Sequence, residues 1–298
     1  MSRGLAHLAA AALIALTAAG CARKAEQADR ASPFAMTQRW TVTGLASPES
    51  VLLSADSGFF YVSNVNGEGE ARDGNGFISR ISRDGIMLER QWATGLDAPK
   101  GMALKDGKLY VADITVLRVI DAATGKVAQS LPAPGAGFLN DVALLPDGTV
   151  IVSDSDGGSV YRLDGDTLGL WLKTPDLRSA NGLLPAGGKL YITTMQGLLL
   201  EADPATKAIR RIADGLGQAD GLARLDDGSF LVGEWPGRLF HVTASGKATV
   251  LSDTRARETY LNDFLVTDDL TRRVLVAPQW KPGALTEFDI SPPAASQP

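Results

Sequence analysis

The sequence has very few residues of the types that build disulfides, thiolate metal sites or histidine-based catalysis. Its 298 residues include one cysteine, Cys21, and two histidines. A single cysteine excludes an internal disulfide and a site of several thiolate ligands. His241 is the one histidine beyond the N-terminal segment and no Gly-x-Ser-x-Gly motif occurs, which disfavours Ser-His-Asp catalysis.

Nucleic acid and nucleotide are also poor candidates for a partner. The formal net charge is -5 and the chain has no basic cluster, whereas nucleic-acid-binding domains carry basic patches. The chain also lacks the Gly-x4-Gly-Lys-Ser/Thr loop that holds nucleotide phosphates. The remaining partner class that we expect is a small molecule.

One long apolar run occurs, near the N-terminus, and it is typical of an export signal. Arg3 precedes Leu8 to Ala19, a run too short to remain as a spanning helix, so residues 1–20 are predicted to be a signal peptide. Ala18-Ala-Gly-Cys21 resembles a bacterial lipoprotein cleavage box with Cys21 as the lipidated residue. The alternative is an ordinary secreted protein that carries a cysteine there. Residues 21–37 are predicted to be a tether and 293–298 a tail, with the chain facing the periplasm or the exterior.

The rest of the chain repeats one unit six times. Thr94-Gly-Leu-Asp-Ala-Pro-Lys100 repeats the pattern of Thr43-Gly-Leu-Ala-Ser-Pro-Glu49, and each unit places one polar residue before an apolar run. Repeats of this length, made of short strands and Asp-Gly turns, predict propeller blades. We therefore predict an all-β, six-bladed β-propeller of four-stranded antiparallel blades over residues 38–292. The repeated polar position is occupied by Glu49, Lys100, Asn140, Asn181, Asp220 and Asn262.

The same alignment predicts how the ring of blades closes. The strands of blade 1 are predicted at Ser50–Leu53, Phe59–Asn64, Gly76–Ser82 and Ile86–Ala93. Arg39–Leu45 aligns with Gln91–Leu96 at the end of the fourth strand, yet no blade precedes it, and the last blade has three strands of its own. We expect this N-terminal strand to pair with Leu285–Ile290 and so to remove an exposed sheet edge.

The six repeated residues, which we call the ring, are expected to converge on the channel, because the inner strands of a propeller line it. Four of them offer two carboxylates and two amide oxygens: Glu49, Asn140, Asn181 and Asp220. Hard oxygen ligands suit Ca²⁺, or Mg²⁺ and Mn²⁺, rather than zinc or copper. The alternative is that these side chains only cap strands and turns. Strand-two residues are predicted to form an outer ring at the same face: Asn64, Asp113, Asp154, Thr194, Glu234 and Gln279.

The order and spacing of these motifs resemble a known family. Pro48-Glu49-Ser50, Leu139-Asn140-Asp141, Ala180-Asn181-Gly182 and Ala219-Asp220-Gly221 are similar to the senescence-marker-protein/gluconolactonase/luciferin-regenerating-enzyme family, over about residues 38–290. The resemblance implies a central divalent cation, usually Ca²⁺, bound by residues matching Glu49, Asn140, Asn181 and Asp220. It also implies hydrolysis of lactones or related esters, with the metal polarising the carbonyl and Asp220 as base or nucleophile.

Lys100 departs from this pattern, because an ammonium repels a metal in the same ring. It could tilt outward toward Asp113, point at an anionic substrate, or form an ion pair with Glu49 and Asp220 in place of the metal. The third case would leave a non-catalytic propeller that binds a small ligand or a protein. If repulsion operates, Lys100→Ala should raise metal affinity.

The mouth of the channel supplies the remaining candidates for substrate binding. Trp235 and Trp280 follow second strands and could stack on a sugar or another ring, or could pack the rim. Asn66–Asn75 is an enlarged loop of blade 1, either a lid or a solvated excursion. The predicted substrate-binding residues are Lys100, Asn262, Asp113, Trp235 and Trp280.

Overall fold

The structure is a computed structural model that describes residues 34–54, 58–269 and 272–291. These ranges form 24 strands and two short 3-10 helices, arranged as six four-stranded sheets. The predicted six-bladed β-propeller is confirmed. The predicted signal peptide, Cys21 and the tail at 293–298 lie outside the described residues. None of the helices in the described ranges has the length and apolar character needed to span a membrane.

The first three blades follow one another along the chain. Blade 1 contains β2 (Pro48–Ser54), β3 (Phe59–Asn64), β4 (Gly76–Ser82) and β5 (Met87–Leu96). Blade 2 contains β6 (Pro99–Lys105), β7 (Lys108–Asp113), β8 (Val116–Asp121) and β9 (Val127–Pro132). Blade 3 contains β10 (Leu139–Leu144), β11 (Val150–Asp154), β12 (Ser159–Asp164) and β13 (Thr167–Lys173).

Blades 4 and 5 keep this order. Blade 4 contains β14 (Ala180–Ala186), β15 (Lys189–Thr194), β16 (Leu198–Ala202) and β17 (Ile209–Ala213). Blade 5 contains β18 (Gln218–Arg224), β19 (Phe230–Trp235), β20 (Arg238–Val242) and β21 (Ala248–Asp253). The short helices η1 (Pro175–Leu177) and η2 (Arg255–Arg257) precede the next inner strands.

Blade 6 joins the two ends of the described chain. Its sheet has the order β1-β24-β23-β22, built from β1 (Ala35–Thr43), β22 (Leu265–Asp269), β23 (Arg272–Gln279) and β24 (Ala284–Ser291). β1 is antiparallel to β24, with Trp40 opposite Glu287 and Thr43 opposite Ala284. The edge of β24 is therefore covered by a strand from the start of the chain.

Alternate residues of a strand pack against different neighbouring blades. In β3, Phe60 and Val62 share an apolar cluster with Val276 and Leu285 of blade 6. Phe59 and Tyr61 belong instead to a cluster with residues of blade 2, among them Met102, Leu109 and Val111. Successive side chains of a strand point to opposite faces, so β3 is apolar throughout because both of its faces are covered. Full burial of each such side chain contributes about 1.5–3 kcal/mol.

A local irregularity occurs at the ring residue of each of blades 1 to 5. The pairing of the inner strand with the second strand shifts between Pro48 and Val51, and at the equivalent residues of blades 2 to 5. A bulge leaves a backbone N–H without a ladder partner. Hydroxyl groups accept these hydrogens in three blades: Ser50 N to Ser63 Oγ (2.9 Å), Asp141 N to Ser153 Oγ (2.8 Å) and Gly182 N to Thr193 Oγ1 (2.9 Å).

Glycine follows the ring residue where the inner strands of neighbouring blades touch. A Cβ at Gly221 would lie 2.6 Å from Asp263 Oδ1 and 2.7 Å from Asp263 Cα. At Gly101 it would lie 2.5 Å from Asp141 Cα. Real Cβ atoms do not approach backbone this closely, so the channel wall requires glycine at these positions.

We expect Gly221→Ala to lower the free energy of unfolding by about 1–3 kcal/mol, because the added methyl overpacks a backbone that cannot move aside. Chemical denaturation measures the change. The matched control is Gly169→Ala in the outer strand β13, where a Cβ meets nothing within 4 Å. Equal stabilities of the two variants would contradict the close approach of the inner strands.

Candidate functional site

The six ring residues lie together at the starts of the inner strands. All six are buried, with exposed fractions between 2 and 6%. Asn262 Nδ2 donates a hydrogen bond to Pro48 O at 3.1 Å, which links blade 6 to blade 1 beside Glu49. Glu49 interacts electrostatically with both Asp220 and Lys100. The repeated polar position therefore forms one buried cluster, as a central channel requires.

Three oxygen atoms of this ring have no hydrogen-bond partner although they are buried. They are Glu49 Oε2, Asn181 Oδ1 and Asn262 Oδ1. An unsatisfied buried polar atom costs about 1–3 kcal/mol, and here three blades each contribute one. Acceptor oxygens without donors are the ligands that a hard divalent cation takes. The donor set therefore fits such a cation.

The donor set is poor in carboxylates. The described residues contain no group of three or more His, Cys, Asp or Glu side chains that could hold a metal ion. The ring has two carboxylates, Glu49 and Asp220, and its other candidate oxygens belong to amides. Amide oxygens are ordinary ligands of Ca²⁺, so a cation here would depend on asparagine as much as on acid.

Burial strongly disfavours the charged forms of the channel carboxylates. Burial, with the nearby Asp263 carboxylate, raises the pKa of Asp220 to about 8. Burial raises the pKa of Asp263 to about 6, although a hydrogen bond from Ser50 opposes the shift. The pKa of Glu49 is held well above its usual range by burial and by the charge of Asp220. Protons or a cation must therefore balance these groups.

Asp141 and Asp263 are channel residues that the sequence analysis did not single out as functional. Asp141 Oδ2 accepts a hydrogen bond from Leu183 N of blade 4 at 2.7 Å. Asp263 Oδ2 accepts one from Ser50 Oγ of blade 1 at 2.7 Å. Each carboxylate ties its blade to the next. The available signal was an aspartate directly after the ring residue in two repeats, where the others have Ser or Gly.

Lys100 forms hydrogen bonds with backbone carbonyls and not with the acidic ring residues. Its Nζ donates hydrogen bonds to Gly69 O and Ala98 O, both at 2.9 Å, and lies 4.3 Å from the centre of the Phe138 ring. Burial lowers the pKa of Lys100, and the charge of Glu49 partly offsets this. No ion pair joins Lys100 to Glu49 or Asp220 in the part of the chain that the structure describes.

The enlarged loop of blade 1 is fixed against blade 2. Besides Lys100, two hydrogen bonds hold it: Gly74 N to Asp97 Oδ1 (3.1 Å) and Arg72 Nη2 to Thr115 Oγ1 (3.1 Å). Within the loop, Asn66 Nδ2 donates to Asn75 O at 3.0 Å. The loop therefore lies against the mouth-side turns of blade 2, and Lys100 connects it to the ring.

The outer ring fixes the segments that enter the inner strands. Asp113 is fully buried; it accepts hydrogen bonds from Asp97 N (3.1 Å) and Ala98 N (2.7 Å) and pairs with Arg118 Nε at 2.7 Å. Asn64 and Asp154 bind the equivalent amides of other blades. Backbone amides and Arg118 therefore occupy the oxygens of Asp113, and its predicted role in substrate binding stays a prediction.

The two predicted tryptophans lie side by side on the mouth face. Trp235 packs edge-on against Trp280, with ring centres 5.6 Å apart, and against Tyr260 at 5.0 Å. Tyr260 was missed by the sequence analysis, although it stands two residues before Asn262. His241 lies in the third strand of blade 5, edge-on to Phe34.

The chain matches no protein-family model, and it matches no curated protein sequence. Several solved structures share its fold. A protein provisionally called a gluconolactonase is 17% identical with a TM-score of 0.64, and the match covers 88% of this chain and 93% of that one. At this identity the match shows a shared fold and nothing more.

Two lyases also resemble this propeller. A catalytically inactive histidine-to-alanine variant of virginiamycin B lyase from Staphylococcus aureus, solved with quinupristin, is 12% identical with a TM-score of 0.61 and matches over 86% of this chain and 99% of that chain. A streptogramin B lyase is 10% identical with a TM-score of 0.62, over 87% and 98%. At these identities the likeness is one of fold alone.

We expect the metal-free protein to lose stability as the pH rises from about 5 to 8. The folded-state pKa values of Asp220 (about 8) and Asp263 (about 6) exceed the unfolded value of about 3.9. The folded state then binds more protons than the unfolded state, so stability falls with rising pH. Burial lowers the pKa of His241, and this shift makes stability rise with pH. It concerns one group, whereas the two aspartates both act in the other direction.

Thermal unfolding midpoints in EDTA across this pH range measure the effect. Asp220→Asn should flatten the profile, whereas Asp147→Asn, in an exposed turn, should leave its slope in this range unchanged because the pKa of Asp147 is lowered. A midpoint that rises with pH, or an unchanged slope in Asp220→Asn, would contradict the raised pKa values.

We expect Lys100→Met to release the loop and to raise cation affinity. Each hydrogen bond to a charged group contributes about 1.5–3 kcal/mol, so trypsin cleavage after the exposed Arg72 should accelerate about tenfold or more. Lys105→Met is the matched control, because Lys105 Nζ binds Gly148 O at 2.7 Å in a different turn. Equal cleavage rates at Arg72 in the two variants would show that Lys100 does not hold the loop.

Proposed function

We propose that this protein is a divalent-cation-dependent hydrolase of lactones or related esters. The observation that carries the proposal is the set of three unpaired buried oxygens, on Glu49, Asn181 and Asn262, beside the carboxylate of Asp220. We further propose that the chain is exported and attached to a bacterial membrane through lipid on Cys21, facing the periplasm or the exterior.

The cation would be Ca²⁺, with Mg²⁺ and Mn²⁺ as alternatives, held by Glu49, Asn140, Asn181 and Asp220. The Asn262 amide oxygen is a fifth candidate ligand, because it too lacks a hydrogen-bond partner. Such a cation supplies polarisation of the substrate carbonyl. The three amides would orient the cation without adding charge to a channel already rich in carboxylates.

Asp220 is the candidate base or nucleophile. Its carboxylate is buried and lies near Asp263, and both conditions make it hold a proton more tightly than an exposed aspartate. Placed beside the bound cation, this carboxylate would accept the proton of a water molecule in the site. Gly221 follows Asp220 in the chain, and its backbone hydrogen bond to the carboxylate fixes the orientation of the side chain.

A non-catalytic propeller that binds a small ligand or a protein is the second candidate. It is favoured by the raised pKa values of Glu49 and Asp220, since protons alone can neutralise the ring. One form of this alternative places Lys100 in the axial site, where its ammonium would replace the metal. The hydrogen bonds from Lys100 to Gly69 O and Ala98 O take the ammonium toward the loop instead.

We expect EDTA-treated protein to hydrolyse δ-valerolactone or phenyl acetate only after Ca²⁺, Mg²⁺ or Mn²⁺ is added, as measured by titrating the acid released. Asp220→Asn should lower kcat by about 100-fold or more, in the range for loss of a general base. Asp226→Asn, in an exposed turn of the same blade, is the control. Hydrolysis that survives EDTA, or that Asp220→Asn leaves intact, would reject the proposed site.

A further inference from the structure

Twelve residues lie directly above the ring, on the side of the channel mouth. Each blade contributes two of them, one just before its first strand's ring position and one just after the facing residue of its second strand. In four blades a backbone hydrogen bond defines the pair: Val65 N to Ser47 O (3.1 Å), Ser155 N to Phe138 O (2.8 Å), Met195 N to Ser179 O (2.9 Å) and Trp280 N to Tyr260 O (2.9 Å). Gln218 pairs with Trp235 in blade 5, and Ala98 and Ile114 hold the equivalent positions in blade 2. We call these residues the rim layer.

The rim layer differs sharply in chemistry from the ring below it. None of its side chains is charged, and eight are apolar or aromatic: Val65, Ala98, Ile114, Phe138, Met195, Trp235, Tyr260 and Trp280. The polar members are three serines and Gln218. A molecule bound above the ring therefore has a polar, oxygen-rich floor and mainly apolar walls.

Aromatic rings form one continuous part of this wall. Trp235 packs edge-on against both Tyr260 and Trp280, and all three side chains are partly exposed. Trp280 also packs against the buried residues Val65, Ala98 and Ile114. Because Val65, Ala98 and Ile114 are at most 3% exposed, they support Trp280 and the exposed aromatic wall belongs to blades 5 and 6.

Phe138 supplies a further aromatic surface from blade 3. It is partly exposed, stands two residues before Asn140, and carries the Lys100 ammonium over one face. The Lys100 ammonium donates two hydrogen bonds, to Gly69 O and to Ala98 O. The Lys100 ammonium is thus committed to the loop and to Phe138, and a second ammonium, that of Lys281, lies 5.3 Å from the centre of the Tyr260 ring.

We propose that the molecule bound above the ring is uncharged and carries a planar apolar ring. This inference rests on the proposed function, and within it the substrate class is a lactone or ester with an aromatic or similar ring, not a polyhydroxylated sugar lactone. Aromatic side chains stack on planar apolar groups and gain from the buried area. Tryptophan also stacks on sugars, but each sugar hydroxyl buried without a partner costs about 1–3 kcal/mol. The rim layer has few side chains able to satisfy such hydroxyls.

The test compares dihydrocoumarin, a six-membered lactone fused to an aromatic ring, with glucono-δ-lactone. With rates corrected for uncatalysed hydrolysis, kcat/KM should favour dihydrocoumarin by about tenfold or more. Trp280→Leu should raise KM for dihydrocoumarin while kcat stays near the wild-type value, and Trp280→Phe should restore KM. For δ-valerolactone, which lacks the aromatic ring, the rise in KM caused by Trp280→Leu should be much smaller than the rise for dihydrocoumarin. Trp171→Leu, in the outer strand β13, controls for loss of an indole elsewhere.

Binding of 1-tetralone, an uncharged ring ketone of similar shape that has no ester bond, separates this inference from the proposed function. If Ca²⁺-loaded protein hydrolyses neither lactone but binds 1-tetralone, and Trp280→Leu weakens that binding, the hydrolase proposal fails while this inference stands. Preference for glucono-δ-lactone would overturn the inference and leave the hydrolase intact. An unchanged KM and unchanged 1-tetralone binding in correctly folded Trp280→Leu would also overturn it.

Discussion

Unbalanced polar groups buried on the propeller axis are the constraint on which the rest of this structure depends. Glu49, Asp141, Asp220 and Asp263 place four carboxyl groups in the channel, and burial raises the pKa of each. Lys100 is the one ammonium in the ring, and its hydrogen bonds go to backbone carbonyls of the loop and of Ala98. A buried charge without a partner is costly, so this channel is stable with protons on its carboxyl groups or with a cation among them.

The blade architecture holds those groups in place by contacts between blades. Glycine after the ring residue lets neighbouring inner strands approach, and Asp141 and Asp263 bind the blades that follow their own. Outer-ring residues such as Asp113 bind the amides that lead into the inner strands. Ring side chains built on six strands and held in this way are pre-organised, which a metal or catalytic site requires.

The sequence predicted the features that depend on local pattern. Six repeats with Asp-Gly turns were enough to place the blades and the ring, and Trp235 and Trp280 followed from their positions after second strands. Features that depend on contacts between repeats were missed. The role of Asp141 needs Leu183 of the next blade, and the direction of Lys100 needs Gly69 and Phe138, which lie far away in the chain. Asp113 looked like a mouth residue because its burial under the preceding segment is not visible in the repeat.

Calorimetric titration of Ca²⁺ into EDTA-treated protein tests the central claim most directly. The account predicts one cation per chain, and it predicts that Glu49→Gln weakens binding by about tenfold or more while Glu89→Gln, on the outer strand β5, does not. Absence of binding by Ca²⁺, Mg²⁺ and Mn²⁺, or equal affinity in Glu49→Gln and the wild type, would contradict an axial metal site.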